Sequence, residues 1–91
     1  MTPIRWTTDA ANQLEGIVER IQQNNPDAAR KTAQAILERI GELKVFPQLG
    51  RPGQDVEGTR ELVCPPYVIV YRLKNDAAEI LCIWHGAQDW R

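Results

Sequence analysis

The spacing of hydrophobic residues in the first half of the chain predicts two helices. One apolar stripe, at the i, i+3, i+4 and i+7 positions of a helical face, consists of Leu14, Ile17, Val18 and Ile21. A second stripe consists of Ala29, Ala33, Ile36, Leu37, Ile40 and Leu43. Asn25 and Pro26 separate the two stripes, because asparagine caps a helix and proline is tolerated at the first helical position. We therefore predict an antiparallel helical hairpin over roughly residues 8–23 and 26–45.

The second half of the chain changes to the alternating pattern of β-strands. Three runs rich in β-branched and aromatic residues, TRELV, YVIVYRL and AEILCIWH, are bounded by turn formers. They predict an antiparallel meander with strands over roughly residues 59–64, 67–73 and 78–85. A short N-terminal strand is predicted where Ile4 and Trp6 alternate with Arg5. Because helices precede strands, the predicted fold class is α+β, with the helical hairpin packed on one face of a small antiparallel sheet.

Size and charge narrow the range of functions. A chain of 91 residues has room for one core, so we expect residues 1–91 to form a single domain. The 11 basic and 12 acidic residues give a net charge of −1, and any nucleic-acid contact must therefore be local. No apolar run approaches the ~20 residues that span a bilayer, and the N-terminus lacks a signal-peptide core. We expect a cytoplasmic protein without membrane contact.

The two cysteines are expected to remain reduced. Cys64 and Cys82 fall on the first and third predicted meander strands, about 9.5 Å apart, which is too far for a disulfide. Cys82 and His85 have the spacing of a metal-binding pair, but two further ligands are missing. We expect neither a metal nor a cofactor.

Two arginines near the loop between the predicted helices and strands are candidate binding residues. Arg51 stands between two backbone breakers, where it either binds a partner or is an ordinary loop arginine, solvated or paired with Asp55 or Glu57. Arg60 precedes Glu61 at the start of a strand, so one of these two side chains must point towards the helix-covered side or its rim. For Arg60, a structural ion pair and a functional role are both open.

Tyr67 and Tyr71 share one face of the central predicted strand, opposite Val68 and Val70. If the valines face the helices, both tyrosines lie on the open face, where aromatic side chains can bind a partner. The alternative is that the tyrosines are buried and each hydroxyl is hydrogen-bonded. We expect at least one of the two tyrosines to be exposed.

His85 is the one histidine of the chain and the side chain best suited to proton transfer near neutral pH. A lone histidine at a strand end more often forms structural hydrogen bonds or lies at the surface. Trp84 and Trp90 are most simply core or lid residues, and Trp90 is also a candidate partner contact.

Several of these motifs, taken together, resemble the RelE/ParE superfamily of small bacterial toxins, the toxic halves of type II toxin–antitoxin pairs. The shared pattern is FPxLGRxG at residues 46–53, GTREL at 58–62, a tyrosine-rich strand, and a strand that ends in His85 before an aromatic tail. The resemblance covers nearly the whole chain. The GR-x-G loop, the GTREL strand and the H-G-A-x-x-W tail are most similar to the ParE and plasmid-stabilisation branch.

The resemblance implies a growth inhibitor that a cognate antitoxin neutralises. RelE-like and YoeB-like members cleave messenger RNA on the ribosome, whereas ParE-like members inhibit DNA gyrase without known hydrolytic chemistry. The nucleases have an arginine at the place of Val68 and a tyrosine at the place of Gly86, while their acid/base histidine is matched by His85. We therefore expect a gyrase inhibitor that acts by binding rather than as an enzyme.

The resemblance also assigns roles to individual residues. The expected partner-binding or target-binding residues are Arg51, Arg60, Tyr67, Tyr71 and Trp90. One alternative is a ribosome-dependent endoribonuclease in which His85 is the acid/base and Arg60 or Arg51 stabilises the phosphate. Another is a toxin fold that has lost its toxicity. The antitoxin segment is expected to be acidic and amphipathic, to lie across the helical hairpin, and to reach Arg51 or Arg60.

Overall fold

The computed structural model describes residues 1–53 and 56–86, and in them two helices pack on one face of a five-stranded sheet. The strands are β1 (Ile4–Trp6), β2 (Arg51–Pro52), β3 (Thr59–Cys64), β4 (Tyr67–Lys74) and β5 (Ala77–His85). The helices are α1 (Thr8–Gln22) and α2 (Pro26–Gly41), and a 3₁₀ turn, Glu42–Lys44, follows α2. The sheet order is β1-β5-β4-β3-β2, with β1 parallel to β5 and all other neighbours antiparallel. The predicted α+β class is confirmed.

Both helices begin at side-chain caps, and the cap of α2 is the predicted Asn25. The Thr7 hydroxyl oxygen accepts a hydrogen bond from the Ala10 nitrogen at 3.2 Å, and the Asn25 side chain accepts one from Ala28 at 3.1 Å. Thr7 also donates to the carbonyl oxygen of Ile80 at 2.7 Å, which ties the start of α1 to β5. The second helix ends at Gly41, four residues earlier than predicted, because its last turn tightens to 3₁₀ geometry.

The predicted meander is confirmed, and the sheet has two features that the pattern did not predict. One is the parallel pairing of β1 with β5, in which Arg5 lies opposite Glu79. The other is the two-residue strand β2, in which Arg51 lies opposite Glu61. Both are pairings between distant segments, which periodicity within one segment does not report.

The core lies between the hairpin and the sheet. Its helical contributors are Ala10, Ile17, Ile36, Ile40 and, from the 3₁₀ turn, Leu43. Its strand contributors are Leu62, Tyr67, Ile69, Tyr71, Ala78, Ile80 and Ile83.

The two cysteines are free thiols, as predicted, and burial raises the pKa of each. Within the described residues, no helix has the length and apolar character to cross a membrane.

Candidate functional site

The backbone of the loop after the hairpin is fixed by a buried tyrosine. The Tyr71 hydroxyl donates a hydrogen bond to the carbonyl oxygen of Pro47 at 2.8 Å and accepts one from the Gly50 nitrogen at 2.9 Å. Burial raises the pKa of Tyr71, while the Gly50 bond and the charge of Arg60 partly oppose that shift. A Cβ atom at Gly50 would lie 2.7 Å from a Tyr71 ring carbon, so the loop can approach the ring this closely only with glycine.

The guanidinium group of Arg60 holds the same loop from the other side. Its Nη1 donates to the carbonyl oxygens of Gly50 at 2.7 Å and of Gln48 at 3.3 Å. Arg60 is half-buried and lies on the same side of β3 as the core residue Leu62, at the rim of the helix-covered face. Sequence analysis left an ion pair or a functional role open for Arg60. In the structure its hydrogen-bond partners among the described residues are backbone carbonyls, so it helps to shape the loop.

Arg51 forms an ion pair with a buried carboxylate on the open face of the sheet. Its Nη2 and Nε lie 3.1 and 3.2 Å from Oε1 of Glu61, a residue that is only 2% exposed. Of the two loop partners that the sequence left open for Arg51, Glu57 forms no ion pair with it in the described residues, and Asp55 lies outside them. The cross-strand pairing of β2 with β3 places Glu61 beside Arg51 instead. The Arg51 side chain is still 56% exposed and can meet a partner.

The expectation that Tyr67 or Tyr71 is exposed was wrong. Tyr67 is 9% exposed and Tyr71 is fully buried, because both rings face the helices with Ile69, and the valines lie on the open face. The alternative holds for Tyr71, whose hydroxyl makes two hydrogen bonds to the loop. The Tyr67 hydroxyl, at the end of the strand, makes no hydrogen bond to a described residue. Burial therefore withdraws both rings from direct contact with a partner.

His85 lies at the opposite end of the sheet from Arg60. It pairs with Tyr67 across β4 and β5, and their rings contact edge to face at a centroid distance of 5.5 Å. Arg60 pairs with Tyr71, four residues along the same strand, or about 13 Å away. Arg51 is held at Glu61, nearer the Arg60 end. The structure does not bring either arginine to the histidine, and Trp90 lies outside the described residues.

A different arginine shares a cleft with the histidine. The cleft, of about 250 Å³, lies between α1 and the end of β5, and its polar lining includes Gln13, Arg20, Tyr67 and His85. Gln13 already accepts a hydrogen bond from the Ile83 nitrogen at 2.7 Å. Arg20 has no ion pair within residues 1–53 and 56–86. Sequence analysis missed Arg20 because its position on the polar side of α1 is typical of a solvated residue.

The open face of the sheet carries charges that largely neutralise one another. Arg72 donates from Nε to Oε1 of Glu79, and Arg5 lies 3.7 Å from the other carboxylate oxygen. The hydrogen bond from Arg72, with the nearby positive charges, lowers the pKa of Glu79. Val68, at the place of the nuclease arginine, lies between Val63 and Trp84 on this face. The described part of the face therefore offers no cation at that place.

Comparison with known proteins assigns the chain to a family. Residues 4–90 match the model of the ParE toxin of type II toxin–antitoxin systems, parDE. The chain belongs to the ParE toxin family. "Putative toxin Y4kP" of Sinorhizobium fredii is 40% identical over 89 residues, covering 96% of this chain and 91% of the relative. Toxin RelE2 of Caulobacter vibrioides is 34% identical over 89 residues, covering 97% of this chain and 99% of that protein.

Solved structures also resemble this ParE-family chain. A chain of the chromosomal ParDE toxin–antitoxin system from P. aeruginosa matches with a TM-score of 0.82 and 29% identity, covering 93% of this chain and 96% of that one. A chain of the RelBE2 toxin–antitoxin complex from Mycobacterium tuberculosis matches with a TM-score of 0.69 and 25% identity, covering 92% and 96%. Both come from toxin–antitoxin systems, which supports a cognate antitoxin as a partner of this family member.

Proposed function

We propose that this ParE-family toxin inhibits DNA gyrase by binding it in the cytoplasm and that a cognate antitoxin neutralises it. One observation supports binding over RNA cleavage. Val68 occupies the place of the nuclease arginine, and its neighbours across the sheet, Val63 and Trp84, are not cations either. A preorganised cation at the reacting phosphate contributes a few kcal/mol to such a reaction. Gyrase as the target is an inference from the ParE family.

The decisive experiment tests this chain for gyrase inhibition and for cleavage of translated messages, both in cells and after purification. Induction without the antitoxin is expected to arrest growth and trigger the DNA-damage response, and the purified chain is expected to inhibit supercoiling by gyrase. Specific cuts in translated messages without any effect on gyrase would assign the chain to the nucleases. Induction without growth arrest would indicate a toxin fold that has lost its toxicity.

A second candidate function, ribosome-dependent RNA cleavage, is favoured by one observation, the cleft shared by Arg20 and His85. In that mechanism His85 moves the proton of the attacking 2′-hydroxyl and Arg20, rather than Arg51 or Arg60, stabilises the phosphate charge. The variants His85→Gln and Arg20→Gln separate the two candidates. A nuclease is expected to lose cleavage by about 100-fold or more in each, whereas a gyrase inhibitor that acts elsewhere keeps its growth arrest.

The antitoxin segment is proposed to lie across α1 and α2 and to reach Arg51. The outer surface of α2 exposes Leu37, which can pack against an amphipathic segment. Replacement of Arg51 by glutamate would confuse the test, because the new carboxylate would face the buried Glu61. The better variant is Arg51→Gln, which is expected to weaken antitoxin binding by ~1 to 2 kcal/mol. Unchanged affinity in Arg51→Gln would remove Arg51 from the interface.

A further inference from the structure

The loop after the hairpin exposes apolar side chains although polar bonds fix its backbone. Val45 is 59% exposed, Phe46 62% and Leu49 39%. The bonds from Tyr71 and Arg60 described above anchor the loop backbone at Pro47, Gln48 and Gly50. Exposed aromatic side chains on an ordered backbone are typical of binding hot spots, since little conformational freedom remains to be lost on binding.

These side chains line one half of a continuous groove, here called the loop groove. A concavity of about 440 Å³ is lined by residues 45–49. A neighbouring concavity of about 750 Å³ shares Val45 and Pro47 with it and continues along Lys44, Leu73 and Lys74. Asp76 is the one acidic side chain in its lining. Neither lysine forms an ion pair within the described ranges, although the charge of Lys74 also acts on Glu79.

We propose that the loop groove binds an acidic segment of the cognate antitoxin, with apolar side chains packed on Phe46 and carboxylates facing Lys44 and Lys74. The proposal rests on the proposed function, because it requires an antitoxin. Charge complementarity selects this occupant, since two lysines oppose one aspartate in the groove. Position selects it as well. The loop groove begins where α2 and its 3₁₀ turn end, so it adjoins the hairpin that the antitoxin segment is proposed to cross.

The test measures affinity for the full-length antitoxin encoded beside this chain. Phe46→Ser is expected to weaken binding about 10- to 100-fold, because the aromatic anchor is lost while an exposed site tolerates serine. Lys74→Glu is expected to weaken binding about 10-fold at low salt and less at high salt. The matched control is Val63→Ser, an apolar residue exposed by 38% on the open face of β3, which is expected to stay within about 2-fold of wild type.

Three other outcomes would overturn the groove proposal, and each has a different consequence for the proposed function. If wild type binds the antitoxin and both groove variants bind equally well, the loop groove is not part of the interface, and the proposed function is untouched. If the wild-type chain fails to bind the antitoxin at all, the proposed function fails and the groove proposal fails with it. If the variants keep their affinity but no longer arrest growth, the groove contacts the toxin's target and not its antitoxin.

Discussion

Replacement of Tyr71 by phenylalanine removes the one atom that joins the buried ring to the loop. The ring stays in the core, but the Pro47 carbonyl loses its donor and the Gly50 nitrogen loses its acceptor. Gly50 is buried, so its N–H group does not simply regain a water. An unsatisfied buried group costs about 1 to 3 kcal/mol, and a lost partly buried hydrogen bond about 1 kcal/mol. We expect Tyr71→Phe to lower the free energy of unfolding by about 2 to 3 kcal/mol.

Tyr67→Phe is the matched control. Tyr67 lies on the same strand and the same face, but its hydroxyl makes no hydrogen bond to a described residue, so its loss is expected to change stability by less than about 0.5 kcal/mol. Equilibrium urea unfolding measures both variants, and the expected loss for Tyr71→Phe corresponds to a fall in Tm of roughly 10 to 20 °C. Equal stability of the two variants would refute the claim that Tyr71 fixes the loop.

The raised pKa of Tyr71 predicts that its contribution to stability depends on pH in the alkaline range. Burial raises the pKa of Tyr71 in the folded state above its ordinary value of 10.0, so the unfolded chain releases this proton first. The stabilisation linked to Tyr71 is therefore complete below about pH 10 and is lost as the pH rises through the folded-state pKa. Tyr71→Phe lacks this ionisation. The stability difference between wild type and Tyr71→Phe is expected to shrink above about pH 10, and a constant difference would contradict the cause given for the shift.

Four further substitutions test other contacts. Gly50→Ala is expected to destabilise by about 1 to 3 kcal/mol in urea unfolding, because its Cβ meets the tyrosine ring, while Gly16→Ala, with open space around it, is expected to gain up to ~1 kcal/mol. Arg51→Gln leaves the buried carboxylate of Glu61 without its cation and is expected to cost about 1 to 3 kcal/mol by the same measurement. Glu79→Gln is expected to reduce stability at neutral pH, and because its folded-state pKa is lowered, the difference from wild type should shrink as pH falls below about 4.5.

Much of the fold was predictable because its signals are local. Helical spacing predicted both helices, the cap at Asn25 predicted the start of the second, and alternation predicted the three meander strands. Alternation divides a strand into two faces without saying which face the helices cover. Tyrosine and valine are both apolar enough for a core, so the side of Tyr67 and Tyr71 was decided by the fit of the rings between sheet and hairpin and by the hydrogen bonds of Tyr71.

The candidate site was less predictable because its contacts join distant segments. Arg51 was identified as a candidate, but its partner Glu61 depends on a two-residue strand that no pattern marks. The sequence left open whether Arg60 or Glu61 points to the covered side, and the bonds of Arg60 to the loop carbonyls depend on the path of that loop. Arg20 shares a cleft with His85 only because α1 packs beside the end of β5. Spacing along one segment contains no information about such meetings.

The pairing of charges on the open face favours apolar and shape-based recognition over recognition of nucleic acid. Arg51 faces Glu61, and Arg72 and Arg5 share Glu79, so these arginines add little net positive potential. Affinity for a phosphate backbone depends on cations that release counterions, and a chain of net charge −1 has few to spare. This pairing of charges on the open face therefore supports the proposed binding of a protein target over RNA cleavage.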